Sequence, residues 1–142
     1  PVINALEAGT EYPEPVKPDT IAKSIAIGNP ADGHQVLETI RSSGGTGSRA
    51  TDEQILDAIG LLASTEGIFT EPAGGTTLAA TINLLKMEAI PRDESIVVCI
   101  TGNGYKTADV IAGRQRPFTR LGRSLGEFEA FMAERAAKQP AG

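Results

Sequence analysis

A chain of 142 residues with 40% hydrophobic content is long enough to bury a sizeable core, which excludes disorder as its general state. Thirteen Lys and Arg face eighteen Asp and Glu, for a formal charge of -5, so no broad positive field is offered to a phosphate backbone and no nucleic-acid partner is expected. Gly, Thr, Lys or Asp interrupts every apolar stretch, leaving no run of the roughly 18 to 20 residues needed to cross a bilayer, so no membrane partner is expected either.

Residues 1–18 read as an N-terminal segment ending in a proline-rich loop, since 9–19 (GTEYPEPVKPD) holds three prolines that fix φ and remove backbone donors. Asp19 or Thr20 is placed to cap a short helix through about Ala26, stopped by Gly28-Asn29-Pro30. A helix from about Gly33 to Ser43 follows, with Val36, Leu37 and Ile40 on one face and Gly44 as its stop. Thr51-Asp52-Glu53-Gln54 is a capping box, and Ile55, Ala58, Ile59 and Leu62 continue at helical spacing until Gly67. Ile68-Phe69-Thr70 makes a brief strand. Pro72 then opens a helix whose stripe of Leu78, Ala79, Ile82 and Leu85 extends as far as Pro91.

The β-branched run Ser95 to Ile100 (SIVVCI) predicts a buried strand of a parallel sheet, ended by Thr101-Gly102-Asn103-Gly104. A helical turn over 107–112 and an irregular basic stretch, Arg114 to Arg123, lead to a last helix. Its capping box is Ser124 and Glu127, its buried face Leu125, Phe128, Phe131 and Met132. Residues 139–142 form a frayed tail. The pattern is α/β with two or three strands, too little sheet for a self-sufficient doubly wound domain, so partner strands are expected outside this chain.

Three glycine-rich segments are candidate sites. Gly45-Thr46-Gly47-Ser48-Arg49-Ala50 has the spacing of a dinucleotide fingerprint, but it follows a helix where the fingerprint requires a strand, so it reads as a turn. Glu71-Pro72-Ala73-Gly74-Gly75-Thr76-Thr77 puts free N–H groups after a strand, which suits an anion; the alternative is that its glycines allow close helix packing, and the residues alone leave both open. Thr101-Gly102-Asn103-Gly104 ends the most apolar strand, where ligands bind in open α/β sheets, the alternative being a plain strand-ending turn.

Elsewhere the bland readings prevail. His34 has no ligand cluster at metal spacing and no metal is expected, Cys99 reads as an inert core residue, and Arg114, Arg116, Arg120 and Arg123 read as a solvated basic patch. A single cysteine and no basic, apolar leader make the cytoplasm the default location. The start at Pro1-Val2-Ile3, without Met, suggests a piece of a longer chain or a trimmed one.

Four segments in this order resemble threonine synthases: PDTIAKSIAIGNP (18–30), ETIRSSGG (38–45), TEGIFTEPAGGTTLAA (65–80) and VVCITGNGYKT (97–107); LGRSLGEFEAFMA (121–133) is similar to the family's tail. EPAGG and TGNG also occur in dehydratase-like relatives, and their combination with IGNP is the more specific signal. The resemblance implies the carboxy-terminal portion of a fold-type-II pyridoxal-phosphate lyase, with 19–138 a partial three-layer large domain of few parallel strands flanked by helices. It implies conversion of O-phospho-L-homoserine and water to L-threonine and phosphate, in amino-acid biosynthesis.

By that resemblance Thr101 donates a hydrogen bond to the cofactor's pyridine nitrogen, with Gly102, Glu71, Ala73 and Gly74 beside the ring. Ile27, Gly28, Asn29 and Pro30 border the substrate. The family's Schiff-base lysine, phosphate loop and ring-facing asparagine belong to earlier parts of its chains, and none of Lys17, Lys23, Lys86, Lys106 and Lys138 sits in the lysine's context. No catalytic residue is therefore expected in this segment, which alone is expected to be inactive; its implied partners are an amino-acid phosphate, the missing N-terminal part and, by family habit, a second subunit. The alternatives are a serine/threonine dehydratase or cysteine-synthase-like portion, or a non-catalytic domain that binds an anion or dimerises.

Overall fold

The computed structural model describes residues 1–114 and 119–137. Arg116, Lys138 and the tail 139–142 lie outside the described residues. Among those described are five α-helices: α1 Val2–Ala8, α2 Gly33–Ser42, α3 Asp52–Glu66, α4 Pro72–Lys86 and α5 Leu125–Ala137. Two 3-10 segments, Lys23–Ile25 and Gly104–Arg114, complete the regular structure. The described residues form no β-ladder, only an isolated antiparallel bridge between Thr70 and Asn103. No described helix is long and apolar enough to cross a membrane.

The α3/α4 pair holds most of the core. α3 begins as its capping box requires: Gln54 N donates to Thr51 Oγ1 at 3.3 Å and Thr51 N to Gln54 Oε1 at 2.9 Å. It ends at Gly67, whose φ of 69° is left-handed. Pro72 opens α4, where its missing N–H forfeits no helical bond. Ile55, Ala58, Ile59 and Leu62 of α3 are buried, as are Ala79 and Leu84 of α4. The close approach depends on Gly75, where a Cβ would lie 2.9 Å from the Ile55 carbonyl oxygen and 2.7 Å from Ile59 Cγ1. A polar tie runs across the pair: Gln54 Nε2 donates to Asn83 Oδ1 at 3.2 Å, and Asn83 Nδ2 to the Arg49 carbonyl at 2.8 Å.

Sequence reading and structure part at several elements. Residues 2–8 form α1, because Gly9 takes a left-handed φ of 70° and returns its N–H to the helix end; Arg49 pairs with Glu7 and donates to Asn4 Oδ1 at 3.1 Å. The expected helix over 20–26 shrinks to the turn Lys23–Ile25. Its entry is tied down instead, since the Asp52 carboxylate accepts Thr20 Oγ1 at 2.6 Å and Ile21 N at 3.2 Å, seating Ala22 against Ile55 and Ile59. α4 stops at Lys86 rather than near Pro91, because Glu88 takes φ 56° and Ala89 N closes on the Leu84 carbonyl at 2.9 Å.

The largest differences concern burial. Residues 95–100 join no ladder, Val97 is 88% exposed and Cys99 is exposed too, so the cysteine is not a core residue here. A central strand is buried by neighbours that accept its backbone, and the described residues supply none. α5 has its Ser124 cap, with Glu127 N donating to Ser124 Oγ at 3.2 Å. Its apolar face is open: Leu125 is 71% exposed, Phe128 and Met132 are exposed, and Phe131 is half-buried. Amphipathic spacing makes a helix, but burial needs a facing surface.

Candidate functional site

Two segments far apart in sequence meet to form one wall. Thr70 ends the short run after α3, Glu71 precedes α4, and both reach Thr101–Gly104. Glu71 N donates to the Gly102 carbonyl at 3.1 Å, and Gly104 N to the Phe69 carbonyl at 3.0 Å. The Thr70 hydroxyl lies 3.0 Å from the same Gly102 oxygen and 3.2 Å from the Glu71 carbonyl. Asn103 Oδ1 accepts from Tyr105 N at 2.9 Å, which shapes the turn that follows. Phe69 and Tyr105 then meet edge to face, with centroids 5.3 Å apart.

The glycines of both motifs serve this internal fit. A Cβ on Gly102 would stand 1.9 Å from Glu71 Oε1, one on Gly104 would enter the Phe69 ring, and one on Gly74 would lie 2.0 Å from Thr70 Oγ1. The reading left open for Glu71–Thr77, close packing, is what Gly74 and Gly75 do. Gly102 and Gly104 likewise lie close against protein side chains, Glu71 and Phe69. Thr101, by contrast, stands exposed at the edge of the wall.

Of the residues singled out from sequence, Glu71, Gly74 and Gly102 are brought together, with Thr101 adjoining and Ala73 half-buried along α4. Ile27–Pro30 is built against other elements. Val16 N donates to the Gly28 carbonyl at 2.9 Å, a Cβ on Gly28 would meet the Val16 oxygen at 2.1 Å, and Pro30 packs at Gly33. Ile27 and Asn29 are exposed. The link from this patch to the wall is the turn Lys23–Ile25, which packs on α4. Thr70 went unnoticed in the sequence; a hydroxyl directly ahead of EPAGG was its only signal.

Other polar groups fasten the fold. His34 Nδ1 lies 3.2 Å from the Glu11 carbonyl, and its ring stacks on Tyr12 at 4.7 Å. Arg114 is not a free surface charge, because it bonds Asp57 Oδ1 at 2.5 Å and pairs with Glu53. Its guanidinium pKa rises further above its ordinary value, chiefly through the Asp57 hydrogen bond and then through Glu53. No group of three or more His, Cys, Asp and Glu gathers as metal ligands among the described residues.

A family model described as pyridoxal-phosphate dependent enzyme matches residues 1–102, which contain α1 to α4 and both halves of the wall up to Gly102. The chain belongs to that family. That family has fold type II and uses pyridoxal phosphate as its cofactor. Among individual proteins, the chain is 44% identical over 110 residues to the threonine synthase of Methanocaldococcus jannaschii, covering 77% of this chain and 27% of that protein. It is 39% identical over 112 residues to the threonine synthase of Methanosarcina acetivorans, covering 78% and 28%. Against the threonine synthase of Bacillus sp. (strain ULM1) the identity is 42% over 94 residues, covering 66% and 27%. The chain thus spans just over a quarter of the length of the curated relatives it matches.

Proposed function

We propose that this chain is the carboxy-terminal portion of a threonine synthase, which converts O-phospho-L-homoserine and water to L-threonine and phosphate. The observation that carries the reading is the 39–44% identity to threonine synthases; its proposed donor is the hydroxyl of Thr101, a residue that stands exposed next to the Gly102 peptide held by Thr70 and Glu71. That donor fits a pyridine nitrogen. A hydroxyl, unlike a carboxylate, does not hold that nitrogen protonated, so the choice of Thr tunes how strongly the ring draws electrons. Bound pyridoxal phosphate supplies the electron sink for carbanion chemistry. Around it Gly102, Glu71, Ala73 and Gly74 form the chain's contribution to the ring side, and Ile27, Gly28, Asn29 and Pro30 border the amino-acid phosphate.

The rest of the enzyme completes the site. Residues 95–100 become a parallel strand once neighbouring strands accept their backbone, which restores the three-layer α/β arrangement. Lys17, Lys23, Lys86 and Lys106 are all exposed, and none is enclosed by the wall. The segment alone is inactive because it lacks a Schiff-base lysine. Action in the cytoplasm and as a homodimer belongs to the same proposal.

Borohydride reduction of the chain mixed with pyridoxal phosphate, followed by peptide mapping, tests the division of labour. Weak, scattered labelling of exposed lysines is expected. Stoichiometric capture by one lysine would overturn it.

A further inference from the structure

We infer that Thr70 is a positioning residue for Thr101, acting through the Gly102 carbonyl; the inference rests on the cofactor-facing role proposed for Thr101. Thr70 is only 1% exposed. At such a position Val would fill the same volume without burying a hydroxyl. The hydroxyl is accommodated because residue 74 is glycine, as a Cβ there would lie 2.0 Å from Thr70 Oγ1. Its single proton has two acceptors in reach, the Gly102 oxygen at 3.0 Å, which already accepts Glu71 N at 3.1 Å, and the Glu71 oxygen at 3.2 Å; the shorter contact, to Gly102, is the bond assigned. Two donors fill that oxygen's two lone pairs and fix the peptide directly after Thr101.

That fastening matters because it holds Thr101 from its carboxyl side. The segment before it, 95–100, joins no ladder among the described residues, with Val97 88% exposed. After it comes the Thr70–Asn103 bridge, made of the Glu71 N–H bond to the Gly102 oxygen at 3.1 Å and the Gly104 N–H bond to the Phe69 oxygen at 3.0 Å. Where Thr101 presents its hydroxyl therefore depends in part on how firmly residues 102–104 are tied to the start of α4, whatever strands the rest of the enzyme sets beside 95–100. Thr70 is the buried side chain in that tie. It touches no reacting atom and acts only through Gly102.

Residue-resolved amide exchange on the chain joined to the amino-terminal remainder of the enzyme, first without cofactor and then with added pyridoxal phosphate, tests this in Thr70→Val, Thr70→Ser and Thr101→Val. Thr70→Val keeps shape and removes the donor, so Glu71 and Gly104 amides should exchange on the order of tenfold faster. Thr70→Ser should restore wild-type exchange. Added pyridoxal phosphate should perturb residues 101–104 in the wild type, less in Thr70→Val, and not in Thr101→Val. Wild-type exchange in Thr70→Val, or equal loss in the Val and Ser variants, would overturn the inference and leave the cofactor reading intact. Identical responses of wild type and Thr101→Val to pyridoxal phosphate would instead overturn the cofactor reading, and the inference with it.

Discussion

Gly75→Ala probes the contact on which the α3/α4 core depends. The added methyl would lie 2.9 Å from the Ile55 backbone oxygen and 2.7 Å from Ile59 Cγ1. A backbone atom cannot swing aside as a side-chain tip can, so the overpacking cost is set at the upper end, about 3 kcal/mol. Ala is a better helix former than Gly by about 1 kcal/mol, leaving a net loss of about 2 kcal/mol. Gly60→Ala on α3 is the control, because nothing lies within 4 Å of its Cβ position; it should gain about 0.5 to 1 kcal/mol from propensity alone. Urea unfolding followed by far-UV circular dichroism reads both. With a slope near 2 kcal/mol per M, the midpoint should fall by about 1 M in Gly75→Ala and rise by about 0.3 to 0.5 M in Gly60→Ala. A rise in both would refute the close approach.

Asp52→Asn removes the charge that holds Thr20 and Ile21 and that complements the α3 N-terminus, so a loss of about 1 to 2 kcal/mol and faster proteolysis near 9–22 are expected. Thermal melts and a protease time course check it, and unchanged cleavage would count against the tie. Glu88→Gly relieves a left-handed φ of 56° and should stabilise by about 0.5 to 1 kcal/mol, as an upward shift in melting temperature. For Arg114 the folded pKa is raised, so its contribution is present below the unfolded pKa and lost only as pH rises through the folded value, far into the alkaline range. Salt is the practical handle: the wild-type melting temperature should fall with ionic strength more than that of Arg114→Gln, and equal slopes would contradict the ion pairs to Asp57 and Glu53.

What was legible in the sequence was local chemistry. Thr51 with Gln54, Gly67 and Pro72 each act within one or two turns, and the helices they bound were readable from spacing. α1 was hidden because it is short and relies on Arg49, more than forty residues away. Thr20 looked like a cap, yet the carboxylate it meets belongs to Asp52. For the candidate site, the Glu71–Gly75 and Thr101–Gly104 motifs were visible, while their junction through Thr70 was not, since 32 residues separate Thr70 from Gly102. The apolar patterns of SIVVCI and α5 are real. Pattern alone specifies which residues seek cover, not what covers them; here Val97, Cys99 and Leu125 remain open.

As proposed above, this chain contributes the Thr101 wall of a threonine synthase site and leaves the lysine to the rest of the enzyme. Threonine and phosphate are to be quantified after incubating O-phospho-L-homoserine and pyridoxal phosphate with the chain alone, and with the chain joined to the amino-terminal remainder of the enzyme. The chain alone should form neither product, whereas the joined enzyme should form both in equal amounts. Turnover by the chain alone, or a joined enzyme that deaminates serine or threonine without making threonine, would contradict the account.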